Sequence, residues 1–242
     1  DWEEILGWGK MSHQMFNHDA QTSLKGFDNM TNYCLALSNE RRGCPMDDPL
    51  AIMANSKING KPLTEQEIGR NGMLLLVAGF ETTRNAFAGG VQALLEHPEQ
   101  MQYLRENPKG MRLAVEEVVR WTNAACAFRR MATADTELGG KEIKKGDSVV
   151  VWFPSANRDE EVFTDPDTFD VTRHPNQHIG FAAGAHFCLG APLAKLELAL
   201  ALQEVLERYD GIEVTGSVSY IPSNFVFGLE SMPVRLLPKS NN

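Results

Sequence analysis

Cys188 closes a stretch of small residues, Phe181-Ala182-Ala183-Gly184-Ala185-His186-Phe187-Cys188-Leu189-Gly190, just ahead of an apolar helical run that begins Ala191-Pro192-Leu193-Ala194-Lys195-Leu196. Pro192 falls in the first turn, where its missing N–H is harmless. A cysteine there feels the positive end of the helix dipole and several unpaired backbone N–H groups, and both favour thiolate over thiol. Gly and Ala leave room for something flat and wide to approach the sulfur. Soft thiolate suits iron, and a Cys-ligated haem is one of the few iron sites with a single protein ligand. The ordinary role of a lone cysteine near a helix is that of a small buried hydrophobe, and residue type alone does not separate the two.

Three further groups could do chemistry. Ala78-Gly79-Phe80-Glu81-Thr82-Thr83 lies inside an apolar helical run. An ionisable Glu and hydroxyls there are costly unless used or satisfied. Thr82 could simply bond back to the carbonyl of Ala78 and bend the helix. Glu117 and Arg120 share one helix face at i, i+3, a spacing common on surfaces. Phe128-Arg129-Arg130 reads by default as surface charge.

The elements that would position these groups are mostly helical. Residues 1–15 and about 20–42 carry amphipathic patterns, with Met30, Tyr33, Cys34 and Leu37 at helical spacing. A short helix starts at Asp47-Asp48-Pro49, Asn59-Gly60 marks a turn, and Thr64-Glu65-Gln66-Glu67 forms a capping box. The helix it opens runs toward Glu96 and stops at His97-Pro98. Roughly 33 residues at about 1.5 Å each would span about 50 Å. Its middle, Leu74 to Phe80, is apolar nearly all round and is expected to be buried through the centre of a large protein. Short helices follow over 98–105 and 111–121, then a Gly-Gly hairpin over 136–143 and a strand over 148–153. Residues 155–180 read as a long loop, of a length that is usually functional or structurally special. The Cys188 loop, a helix to about Tyr209 and short strands over 212–236 complete a chain that is mainly α with small β-sheets. One domain over 1–242 is expected.

The 242 residues suffice for a sizeable core. A net charge of −9 argues against nucleic-acid binding. No run of apolar residues is long enough for a membrane span, and no signal peptide is visible. Cys34, Cys44, Cys126 and Cys188 show neither a C-x-x-C pair nor zinc spacing, which suits a reducing cytoplasm. The chain opens on Asp1 and enters a helical pattern at once, from which we expect sequence missing upstream.

Phe181, Gly184, His186, Cys188 and Gly190 together resemble the haem-binding signature of the cytochrome P-450 family, Phe-Gly-x-Gly-x-His/Arg-x-Cys-x-Gly. Ala182 departs from it, standing where the family usually has Gly; its methyl is tolerable if the backbone there has negative φ. Ala78 to Thr82 matches the family's Ala/Gly-Gly-x-Asp/Glu-Thr motif. The resemblance implies haem b with Cys188 as axial ligand, and Glu81 and Thr82 delivering protons to the distal oxygen. It also implies Phe181, Gly184, Gly190 and Ala78 at the cofactor, and Arg130 and His186 on the propionates. Glu117 and Arg120 would be the buried Glu-x-x-Arg brace; an Arg often completes that brace, and Thr168 stands at its place here. Val77, Ala125, Phe128, Phe225 and Val226, with Phe227, would line a cavity for an apolar substrate. Asn157 to Phe163 and Ser223 to Phe225 look like bacterial members that oxidise sterols, branched lipids or terpenoids.

The implied activity is insertion of one oxygen atom of O2 into an apolar C–H bond. Electrons would come from a separate ferredoxin or flavoprotein, since no flavin or nicotinamide motif is present. The resemblance makes residues 1–15 the helix roofing the substrate entry and leaves the family's N-terminal part absent. A peroxide-using enzyme on the same scaffold, or a non-catalytic haem-binding fragment, are the other readings.

Overall fold

The computed structural model describes residues 2–13, 19–44 and 47–239. The chain divides into two compact units, Asp1–Glu81 and Thr82–Asn242.

The first unit holds α1 (Trp2–His13), α2 (Ala20–Glu40), α3 (Pro49–Asn55), the hairpin β1 (Lys57–Ile58) to β2 (Lys61–Pro62), and the first half of α4 (Glu65–Glu96). Positions 14 and 15, placed by the sequence in the first helix, lie outside the described residues. Asp19 caps α2 by accepting from the Thr22 N–H at 3.0 Å, and Asp48 caps α3 from Leu50 and Ala51. α1 and α2 meet closely at Gly26, where a Cβ would stand 2.8 Å from the carbonyl oxygen of Trp8. The capping box opens α4 as expected. The Glu67 N–H donates to Thr64 Oγ1 at 3.2 Å, and the Glu67 carboxylate accepts from the Thr64 N–H at 2.7 Å.

The expected burial of the middle of α4 is not what the structure shows. Leu74 and Leu75 are 58% and 40% exposed, while Ile68, one to two turns earlier, is buried. α2 and α3 cover the side of α4 that carries Gly69 and Gly72, against Thr31, Cys34 and Leu50. A helix that is apolar all round states its need for neighbours but cannot supply them.

In the second unit the rest of α4 packs with α5 (Pro98–Glu106), α6 (Met111–Thr122) and α8 (Ala191–Arg208). Leu94, Val115, Val118, Phe169, Leu198 and Leu202 are central to this core. The small sheets are antiparallel pairs. β3 (Ala127–Met131) pairs with β6 (Ser148–Trp152), and β4 (Thr136–Leu138) with β5 (Lys141–Ile143). β7 (Tyr209–Val214) pairs with β10 (Val234–Pro238), and β8 (Ser219–Tyr220) with β9 (Leu229–Ser231). β6 ends one residue earlier than expected. Phe153 instead starts the short helix α7 (Phe153–Ala156), with Pro154 in its first turn and the Phe153 ring buried. α8 buries Leu198, Leu202 and Leu206, while Leu193, Leu196 and Leu200 on the same helix are exposed.

Candidate functional site

The loop before α8 is held in a lap by its own backbone. The Cys188 N–H donates to the carbonyl of Phe181 at 2.9 Å, the Phe187 N–H to that of Gly184 at 3.1 Å, and the Ala182 N–H to that of Ile179 at 2.8 Å. Gly184–His186 is a single 3-10 turn. Cys188 is exposed and free, and α8 begins three residues later. Cys34 and Cys126 are buried instead, and burial pushes both thiols up.

Ala182 does not meet the condition set for its methyl. Its φ is +59°, in the left-handed region, and Gly184 follows at +64°. The turn that carries the chain from Ile179 into the lap needs this conformation, and a Cβ there costs about 1–2 kcal/mol. Ala182→Gly removes that strain but loosens the unfolded chain by about 0.4–1 kcal/mol. We expect a net gain of about 0.5–1 kcal/mol, read as a rise of about 1–4 °C in the thermal midpoint. An unchanged or lower midpoint would show that the methyl has a packing role.

Beside the loop lies an open pocket of about 180 Å³ lined by Phe128, Val151, Phe153 and Ile179, with Ala182 and Ala183 of the loop and Arg130. Arg130 sits on β3 opposite Val149 of β6 and is the one charged side chain of this lining. His186, at the end of the 3-10 turn, is exposed and is not part of the lining. Ala125 and Val226 are brought together by a backbone bridge, reinforced by the Cys126 N–H donating to the Phe225 carbonyl at 2.8 Å. The rings of Phe128 and Phe225 meet edge-on at 5.5 Å. Val226 is buried, whereas Phe227 is exposed and stacks on Tyr220. Glu81 is buried and Thr82 half-buried; they adjoin on α4, with Val77 and Ala78 one turn earlier.

Glu117 and Arg120, both on α6, are 0% exposed. The guanidinium donates to both carboxylate oxygens at 2.7 Å. Its remaining hydrogens reach the carbonyls of Asn157 and Pro166 at 2.8 Å and of Thr168 at 3.1 Å. The third corner that Thr168 left open is taken by Arg173, whose Nε lies 3.2 Å from Glu117. Arg173 also donates to the carbonyls of Thr164, Asp165 and Thr168. Thr168 therefore contributes through its backbone, and the charge comes from five residues later. The Asp170 N–H and Asn176 Nδ2 complete the carboxylate's shell at 2.9 and 3.0 Å. Asn157 ties this brace to the loop: its amide donates to Asn123 Oδ1 at 2.6 Å and accepts from the Ile179 N–H at 2.8 Å, two residues before Phe181. Arg173 and Asn157 carry no periodic signal, and their cue was the density of Asn, Asp and Pro in a long loop; Asn123 takes the left-handed cap position that ends α6, at φ +48°, where Asn is tolerated.

This chain belongs to the cytochrome P450 family, whose model matches residues 15–236. It is 38% identical over 231 residues to a steroid C26-monooxygenase of Mycobacterium tuberculosis (strain CDC 1551 / Oshkosh), covering 94% of this chain and 62% of that protein. It is 36% identical over 242 residues to linalool 8-monooxygenase of Pseudomonas putida, covering 98% and 60%. The bacillaene polyketide synthase cytochrome P450 PksS of Bacillus subtilis 168 superposes with a TM-score of 0.88 at 35% identity, over 95% of this chain and 60% of that one. The chain thus spans about three-fifths of the length of these relatives. Its mainly helical fold with small sheets is part of the cytochrome P450 fold. Among the described residues no helix is long and apolar enough to cross a membrane.

Proposed function

We propose that residues 1–242 belong to one cytochrome P450 domain, a haem-thiolate monooxygenase in which Cys188 would be the residue that holds the haem iron. The observation that carries this is the free, exposed Cys188 at the end of a loop of small residues. Beside that loop is a pocket apolar but for the guanidinium of Arg130. The donor set fits haem b: one soft thiolate, methyl groups where a flat ring must lie close, and a cation for a propionate. Haem b held by a thiolate supplies dioxygen activation, the thiolate's electron density favouring O–O cleavage.

The chain's own residues have distinct tasks. Cys188 Sγ binds the metal as thiolate. Arg130 and His186 would pair with the propionates, Phe181 would border the ring, and Gly184, Gly190 and Ala78 would leave space for it. Thr82 Oγ1 would hold a proton for the dioxygen that the haem activates, and the Glu81 carboxyl would replenish it. Val77, Ala125, Phe128, Phe225 and Val226 keep water away from an apolar substrate. A sterol, terpenoid or branched lipid is the class supported by the steroid and linalool monooxygenases among its relatives. Electrons come from a separate ferredoxin or flavoprotein, and the enzyme works in the cytoplasm.

Thr82→Ala tests the proton role. Haem content should be retained, while product formed per NAD(P)H falls severalfold and hydrogen peroxide rises to match. The measurement is product, peroxide and NAD(P)H consumed with redox partners supplied. An unchanged yield would remove Thr82 from the mechanism. Full turnover with peroxide alone and none with O2 and reductant would identify a peroxide-driven enzyme.

A further inference from the structure

One carboxylate outside the groups assigned above has two arms that end on the same ring. Glu116, on α6, lies 3.0 Å from His178 Nε2 through one oxygen and 2.7 Å from Lys195 Nζ through the other. The His178 ring meets the Phe181 ring at 5.9 Å, and the Lys195 ammonium lies 5.3 Å from the centre of the same ring. His178 Nδ1 accepts from the Gly180 N–H at 3.2 Å, so the imidazole proton is on Nε2, where it donates to Glu116. The hydrogen bond from His178, with the Lys195 contact, holds the Glu116 carboxyl down at about 2 despite its partial burial. Gly180 is pressed between His178 and α6; a Cβ there would stand 2.7 Å from Val119 Cγ1. Phe181 in turn touches the Phe187 ring at 6.4 Å and takes the Cys188 N–H on its carbonyl.

We propose that Glu116, acting through His178 and Lys195, is a positioning residue that fixes Phe181 and thereby seats the Cys188 sulfur, tuning the reduction potential of the iron it binds. This rests on the haem-thiolate reading above. The physical link is short. Phe181 holds the backbone N–H of Cys188 on its carbonyl at 2.9 Å. If Phe181 shifts, that N–H and its neighbours in the loop are free to turn toward the sulfur. Hydrogen bonds to a thiolate withdraw its donation and favour the reduced metal.

The experiment uses the haem-loaded protein and reads three quantities: the ferric/ferrous potential, the Soret band of the reduced CO complex, and the thermal midpoint. Glu116→Gln and His178→Ala should raise the potential, changing the reduced-to-oxidised ratio at fixed potential at least about threefold, which is ~28 mV for one electron. Lys195→Met, at a more accessible position, should move it the same way by less; it serves where the other variants fold poorly. Lys195→Arg should restore the parent value. Glu213→Gln breaks the exposed pair with Arg235 and should leave the potential alone. A parent with a thiolate-type CO band whose Glu116, His178 and Lys195 variants keep its potential overturns this inference only, whatever their midpoints. A parent with no such band overturns the haem-thiolate reading and this inference with it.

Discussion

Cys188→Ser is expected to abolish the red-shifted Soret band that the proposed thiolate ligation gives the reduced, CO-bound protein. A serine hydroxyl stays protonated at neutral pH and is a hard, poor ligand for haem iron, so the loss should be complete rather than graded. The controls are in the chain itself. Cys34 and Cys126 are buried, and their thiols are pushed up by that burial, so neither offers a thiolate at neutral pH. Cys34→Ser and Cys126→Ser should keep the band. If Cys126→Ser removes it while Cys188→Ser leaves it, the ligand assignment is wrong.

The second large effect belongs to the brace. Arg120→Met leaves the Glu117 carboxylate fully buried with Arg173 as its remaining cation, and deprives the carbonyls of Asn157, Pro166 and Thr168 of their donor. Removing one partner of a buried ion pair costs about 3–5 kcal/mol. For a domain whose whole stability is about 5–15 kcal/mol, that is enough to deplete folded protein at physiological temperature. Denaturant unfolding of Arg120→Met and of Glu117→Gln checks it. A loss below about 1 kcal/mol in both would mean that the loop 157–176 does not depend on this charge.

What the sequence makes legible depends on the range of the interaction. The capping box at Thr64 and the stop at His97-Pro98 are local, and α4 begins and ends where those residues put it. The Cys188 loop was legible because its spacing is local too. Arg173 was not, because nothing near it in the chain names Glu117, 56 residues earlier, as its partner. Ala182 needed a condition on φ that only backbone geometry can answer, and the answer was a positive φ. At Leu74 and Leu75 periodicity reported apolar faces correctly; it does not report what covers them. The helix–sheet balance follows from local pattern, whereas the brace is a matter of which loop returns to which helix.

That return has a consequence for the order of events along the folding reaction. The contacts of Glu117 and Arg120 reach across 37 residues to Asn157 and 59 residues to Asn176, past two strand pairs and α7 and then along a loop that has no helix or strand from Asn157 to Asn176. Closing such loops carries an entropic cost before any contact repays it, so helix α6 forms first and the loop docks onto it late. Interactions absent from the transition state act on the escape rate. The loss in Arg120→Met should therefore fall on unfolding, which would accelerate about 10²–10³-fold, while refolding stays within a fewfold of the parent. Stopped-flow traces of the same variants separate the two limbs. Refolding slowed as much as unfolding is hastened would place the loop's docking in the nucleus instead. On the expected outcome, the buried charge pair works as a latch on the lifetime of the native state rather than as a guide to reaching it.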